Sequence, residues 1–312
     1  MERTAHRSRA DQPGRAILDR DHETARRQGG CTMNTAEKHP LTNYHSHTWR
    51  CQHAGGTEEE YVRQAIETGF SVLGFADHSP WPYASDFVSD MRMRLDQFAD
   101  YERTVRGLAA RYADQIHVPL GLECESFPMY FGWLADFKAE HLDYVIMGNH
   151  YDFTDEGDHD VLSDAGGFYF GRCTTSAQIR RYADRTIAGM RTGLFDYVAH
   201  PDLFCHTYAT FDDDCRAISR DLCAAAEALD IPLEYNLLGV QHAQQDHNDL
   251  LGYPCARFWE VASDYNIKAI IGFDAHQVAH LTRLDLWEDG RRFLTGLGIP
   301  VLSCLDKPGL RP

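Results

Sequence analysis

The stretch "NYHSHTWRCQHA", residues 43–54, sets His45 and His47 two apart at the end of a β-like run and adds His53 shortly after. Further along, Asp77 and His78 end "GFADH", Glu123 ends "IHVPLGLE", His150 ends "LDYVIMGNH", His200 lies in "FDYVAHPDL", and Asp274 and His276 end "IKAIIGFDAH". In a strand, residues i and i+2 point to the same side, so His45/His47 and Asp274/His276 can each direct two ligands inward; on a helix they would diverge. Imidazole mixed with carboxylate suits zinc, manganese or iron. A lone HxH or DxH carries little weight. The same ligand types at one end of six of seven candidate strands describe a polynuclear metal site.

The elements that must position these residues are legible as an alternation. The β-rich runs "LTNYHSH", "SVLGFADH", "IHVPLGLE", "LDYVIMGNH", "FDYVAHPDL", "IPLEYNLL" and "IKAIIGFDAH" are separated by longer segments with helical periodicity. That order predicts an α/β fold of parallel strands joined by helical crossovers, with enough strand–helix units to close a barrel. Barrels of this kind place their active sites at the C-terminal strand ends, so residues distant in sequence meet on one rim. Helices are expected at "TEEEYVRQAIETG", where Thr57 and Glu60 make a capping-box pattern and Gly69 stops the helix, and at "DQFADYERTVRGLAARYA", "SAQIRRYADRTIAGMRTG", "DCRAISRDLCAAAEAL" and "CARFWEVASDYN". "IPVLS", residues 299–303, is a candidate further short strand, and 152–174 is a long polar loop of the kind that carries function in barrels. Within that loop His159 reads as part of a solvated acidic turn, and His206, His242 and His247 read as ordinary polar loop residues. Residues 1–40 are polar and Arg-rich without a sustained period, which predicts a disordered extension ahead of a single domain over 41–312; Met33 is a second candidate start.

Composition narrows the chemistry. With 312 residues and 43% apolar content the chain can fill a core of this size. Its 30 basic and 47 acidic residues leave a formal charge of −17, which disfavours long nucleic acids as partners. No apolar run approaches the roughly 18 residues of a membrane helix, so a cytoplasmic protein with no membrane partner is expected. Nine cysteines without a CxxC pair suit reduced thiols. There is no GxxxxGK[ST], GxSxG or HExxH, and no GxGxxG after a strand, so metal-assisted hydrolysis is the leading reaction class.

Taken together, "YHSHTWRCQHA", "GFADHSP", "GLECESFP", "DYVIMGNHY", "VAHPDL", "LEYNLLGV", "YPCARFWEVA" and "IGFDAH" resemble the polymerase and histidinol phosphatase (PHP) superfamily, in its histidinol-phosphate phosphatase branch. The resemblance spans about residues 43–280. It implies a distorted (β/α)7 barrel of TIM-like type and three divalent ions. His45, His47, Glu123 and Asp274 would hold one ion, Glu123 would bridge to a second held by His150 and His200, and His53, His78 and His276 would hold a third, leaving Asp77 as a flanking acid. It implies hydrolysis of a small phosphorylated substrate, L-histidinol phosphate in histidine biosynthesis, with Glu123 and Asp274 positioning a metal-bridging hydroxide. Phe273, Gly148-Asn149 and Gln241 depart from the family's usual residues. Arg172, in the long loop, is the candidate phosphate contact because a guanidinium offers a bidentate fork. Two alternatives stand beside this reading: a PHP phosphoesterase acting on nucleotides or another small phosphomonoester, and a non-catalytic metal-binding barrel.

Overall fold

A computed structural model describes residues 41–84, 87–152, 168–246 and 250–312. The expectations for residues 1–40, His159 and His247 lie outside these residues. His39–Pro312 forms one compact unit.

The unit is built from strands β1 (Leu41–Asn43), β2 (Phe70–Leu73), β3 (Phe75–His78), β4 (Leu120–Cys124), β5 (Tyr144–Met147), β6 (Tyr197–Val198), β7 (Leu233–Asn236) and β8 (Ala269–Gly272). Every pairing is parallel, with β1 against β2 and a sheet running in the order β3-β4-β5-β6-β7-β8. β2 and β3 are the two halves of the expected "SVLGFADH" strand, interrupted at Gly74. The chain just beyond β1 closes the ring. On one side Asn43 and Ser46 carbonyls accept from Gly74 and Ala76 N–H (2.7 and 2.9 Å); on the other, the His45 carbonyl accepts from Ala275 N–H and the Ala275 carbonyl from His47 N–H (both 3.0 Å). At the opposite end of this seam Ala269 bonds to Pro300 and Leu302, so the expected 299–303 strand is reduced to a single bridge at Val301. The seven-membered barrel is therefore distorted at its seam.

Helices α1 (Glu58–Thr68), α2 (Phe98–Arg111), α3 (Phe131–His141), α4 (Ser176–Met190), α5 (Asp213–Leu229), α6 (Leu237–Asp246), α7 (Ala256–Ala262) and α8 (Leu284–Gly296) complete the crossovers. The capping box of Thr57 and Glu60 is formed, and Gly69 ends α1 in a left-handed conformation (φ 93°). Three helices depart from the sequence reading. "FGWLADFKAEH" folds as α3 although its apolar residues circle the helix, α8 follows the last strand, and α6 starts directly where β7 ends, so "IPLEYNLL" is strand only to Asn236.

Two apolar regions result. One fills the space between strands and helices, including Phe75, Leu122, Tyr182, Leu222 and Trp259. The other fills the barrel interior: Tyr44, Val72, Tyr144, Ile146, Tyr197 and Ile270, closed from below by Leu305 and Leu310. The eight described cysteines are all unpaired, and seven are buried, as reduced thiols require. No described helix is long and apolar enough to cross a membrane.

Candidate metal centre

Parallel strands carry their C-terminal residues to one rim, and the register makes neighbours of residues far apart in sequence: His78 pairs with Glu123 across β3 and β4. Glu123 lies at the centre. Its Oε2 faces His78 Nδ1 (3.1 Å), His45 Nε2 (3.4 Å) and His47 Nε2 (3.5 Å); its Oε1 faces His200 Nε2 (2.8 Å) and His150 Nε2 (3.6 Å). Asp274 Oδ1 faces His47 Nε2 (3.1 Å), His276 Nδ1 (3.3 Å) and His45 Nε2 (3.4 Å). The His53 ring stacks at 4.8 Å on His276, which stacks at 4.0 Å on His47. The nine residues named from the sequence thus converge on one place.

Backbone conformation at the rim is unusual. His200 (φ 30°) and Asp274 (φ 46°) both adopt left-handed conformations that non-glycine residues avoid, a strain that the surrounding structure must hold. Two glycines make room for the central carboxylates. A Cβ on Gly148 would fall 1.8 Å from Glu123 Oε1, and one on Gly272 would fall 1.8 Å from Glu234 Oε1. The Gly148 position noted in the sequence therefore has a local cause: any side chain there would displace Glu123.

Behind this inner layer stands a second one. The His45 Nδ1–H donates to Glu234 Oε1 (2.8 Å), which fixes the tautomer and turns the Nε2 lone pair inward. Glu234 also accepts from His200 N–H (3.2 Å) and Asn236 Nδ2 (2.9 Å), and Asn236 donates to Asp274 Oδ2 (3.1 Å). Asp77 Oδ1 lies 3.4 Å from His47 Nδ1 while its Oδ2 accepts from the Thr48 hydroxyl and N–H. Glu125 Oε1 lies 3.5 Å from His150 Nδ1 and is gripped by Arg92, whose two terminal nitrogens donate to its two oxygens (2.8 and 3.0 Å), with Trp81 Nε1 adding a third bond (2.9 Å). His53 and His276 each donate Nδ1–H to a backbone carbonyl, of Cys51 (2.6 Å) and Asp274 (3.1 Å).

The charges are set accordingly. Burial pushes the Glu123 and Asp274 carboxyls up, but the imidazoles around them prevail and hold both well below the usual range, hence ionised. Burial and the neighbouring His47 push His78 and His276 down, and partial desolvation by the cluster, with His276 and His47 beside it, takes His53, the one exposed imidazole of the set, to about 4. For His45 burial is overcome by Asp274, Glu234 and Glu123, which raise it. Yet His45 Nε2, both ring nitrogens of His47, His78 Nδ1, Glu123 Oε2 and Asp274 Oδ1 are buried without a hydrogen-bond partner. Buried polar atoms are almost always paired, so a cluster of unpartnered imidazole nitrogens and carboxylate oxygens aimed at one another is a site fitted to cations. Donor atoms of His45/His47/Glu123, His45/His200/Asp274 and His47/His78/His276 each lie close enough together to hold an ion.

The centre floors an open cavity of about 680 Å³. Arg172 lines it, brought there by a hairpin stem in which Asp152 N–H donates to Phe168 O (3.0 Å) and Phe170 N–H to His150 O (2.7 Å). Tyr151, Tyr169 and Tyr253 form aromatic walls. His242 also lines the cavity from α6, which corrects its reading as a polar loop residue: α6 follows β7 without a loop. Sequence reasoning missed Glu234, Glu125 and Arg92. The i, i+2 spacing of "GLECES" was a usable signal for Glu125, since it shares a strand side with Glu123.

A family model described as PHP domain matches residues 43–237. The chain is 29% identical over 256 residues to the "Probable histidinol-phosphatase" of Deinococcus radiodurans, a span of 76% of this chain and 86% of that protein. It is 27% identical over 118 residues to the histidinol-phosphatase of Bacillus subtilis, 36% of this chain and 44% of that protein. Among solved structures, histidinol phosphate phosphatase from Lactococcus lactis subsp. lactis, complexed with zinc, L-histidinol and phosphate, shares the fold with a TM-score of 0.64 at 16% identity, over 87% of this chain and 99% of that one.

Proposed function

The chain belongs to the PHP domain family, and on that footing we propose that it is a metal-dependent phosphomonoester hydrolase that converts L-histidinol phosphate and water to L-histidinol and phosphate, a step of histidine biosynthesis. The observation that carries the reading is the cluster of buried, unpartnered imidazole and carboxylate atoms around Glu123 and Asp274 at the floor of an open cavity. The relatives that share most of the chain or its fold are histidinol phosphatases by name.

We assign His45, His47, Glu123 and Asp274 to one divalent ion, Glu123 with His150 and His200 to a second, and His53, His78 and His276 to a third, with zinc, manganese or iron suited to the donors. Bound there, the ions would supply an acidified water as nucleophile and neutralise charge on the phosphoryl oxygens. The chain's own part is to hold the donors. Glu123, with imidazoles against both oxygens, spans the centre, and Asp274 fixes the opposite wall. Glu234 stands behind His45 and orients its ring, and Asp77 and Glu125 flank His47 and His150. Arg172 reaches the same cavity and is positioned to take phosphate oxygens as the substrate enters. The soluble composition and acidic charge favour a cytoplasmic enzyme acting on a small molecule.

The test is phosphate release from L-histidinol phosphate, an aryl phosphate and a nucleotide by protein reconstituted with zinc or manganese. A strong preference for histidinol phosphate supports the assignment. Hydrolysis of the other esters alone keeps the phosphatase and removes the histidinol substrate, and silence on all three from metal-loaded protein points to the non-catalytic barrel.

A further inference from the structure

Among the described residues, the cavity above the metal centre carries very few fixed charges. Among the described residues its carboxylates are Glu123, Asp274 and Asp90, and its only lysine or arginine is Arg172. Glu123 and Asp274 are committed to the imidazole cluster, which leaves Asp90 as the one carboxylate among the described wall residues available to a ligand. Asp90 is exposed, and no other described side chain is bonded to its carboxylate.

The turn that carries it is held in place from two sides. The Gln52 side chain, next to His53, donates through one nitrogen to both the Ser89 carbonyl (2.7 Å) and the Arg92 carbonyl (3.2 Å), bracketing Asp90 and Met91. Gln52 itself is left-handed (φ 70°) as the residue that ends the short helical turn Trp49–Cys51. Arg92 is fully buried and doubly bonded to Glu125, so the turn's far end is pinned beneath the cavity. Asp90 and Met91 are thereby fixed to the same segment that presents His53, and both line the cavity.

A carboxylate at this place is costly for a site that takes a phosphate ester, because it repels the dianion. It gains a role where the substrate brings a positive charge of its own. We propose that Asp90 is a specificity-determining residue that receives an ammonium group borne by the phosphomonoester, and so selects amino-alcohol phosphates over simple ones. The inference rests on the phosphatase reading above and deepens it. In L-histidinol phosphate the ammonium stands on the carbon next to the phosphate-bearing carbon, so with the phosphate at the metal floor the ammonium must meet a wall close by. The same carboxylate discriminates against amine-free anions by repulsion, which makes the selection two-sided.

The experiment compares two substrate pairs on metal-loaded wild type, Asp90→Asn and Asp90→Glu: L-histidinol phosphate against its analogue without the amine, and phosphoethanolamine against ethyl phosphate. Wild type is expected to favour the aminated member of a pair, Asp90→Asn to lower that kcat/KM ratio about tenfold, mainly through KM, and Asp90→Glu to retain most of it. An unchanged ratio in Asp90→Asn, or wild type with no preference for the amine in either pair, overturns the proposal. Preference in the phosphoethanolamine pair, lost in Asp90→Asn, with no cleavage of histidinol phosphate, keeps the role of Asp90 and rejects the histidinol substrate.

Discussion

The two ends of the barrel interior are built from the same strands and treat polar atoms in opposite ways. Below, Tyr44, Tyr144 and Tyr197 pack among Val72, Ile146 and Ile270, and their hydroxyls are satisfied: Tyr44 donates to Leu310 O (2.5 Å) and Tyr144 to Tyr44 O (2.7 Å). Above, His45, His47, His78, His200, Glu123 and Asp274 are nearly as deeply buried, yet many of their atoms lack a partner. The lower end is a finished core. The upper end is finished only when something cationic fills it. Tyr197 joins the two, its hydroxyl lying 3.4 Å from Glu234, the carboxylate that orients His45.

The contrast predicts that changes above abolish turnover and changes below abolish stability. The largest effect is expected for Asp274→Asn: kcat/KM for the phosphomonoester should fall about a thousandfold or more, because several kcal/mol of charge stabilisation depend on the centre. Its far-ultraviolet circular dichroism should match wild type. If activity persists, the upper layer is not the reaction centre. Next comes Tyr144→Ala, which empties the lower core and should cost about 3–5 kcal/mol in denaturant unfolding, with kcat per folded molecule near wild type. Loss of turnover at full stability would erase the distinction between the two ends.

Smaller effects sharpen the boundary between layers. Glu234→Gln keeps the shape but removes the acceptor charge behind His45 and should weaken metal affinity about 10- to 100-fold, read by competition with a chelator. Affinity equal to wild type would mean that the outer carboxylate only fills space. The smallest change is expected for Arg172→Ala, about a tenfold rise in KM with kcat nearly constant; an unchanged KM would remove Arg172 from the phosphate site.

How much of this was visible in the sequence follows the same division. His45/His47 and Asp274/His276 could be read because barrel strands end on one rim, although all four lie just past the ends of β1 and β8, where only the Ser46–Ala275 bridge continues the pairing and Asp274 is left-handed, so position carried more of the meaning than strand period. All seven barrel strands were likewise marked by β-rich runs. The helices α3 and α6 were hidden for physical reasons: α3 has no single apolar face, and α6 starts with the apolar pair Leu237-Leu238 that extends the preceding strand's pattern. Beyond Asp77, the outer layer was hidden because most of its meaning is tertiary. Glu234 sits inside a short strand, and only its approach to His45, 189 residues away, gives it a role. Arg92 reads as an ordinary surface cation until its burial against Glu125 is known.

The central claim is that the unpartnered upper layer is a metal centre that drives phosphate ester hydrolysis. It is tested most directly by measuring divalent metal content and L-histidinol phosphate hydrolysis together, in wild type and in Asp274→Asn, during chelation and stepwise return of zinc or manganese. The account predicts tight metal binding by wild type, turnover that rises in proportion to bound metal, and loss of both in the variant. Turnover by metal-free protein, or full turnover by Asp274→Asn, would contradict it.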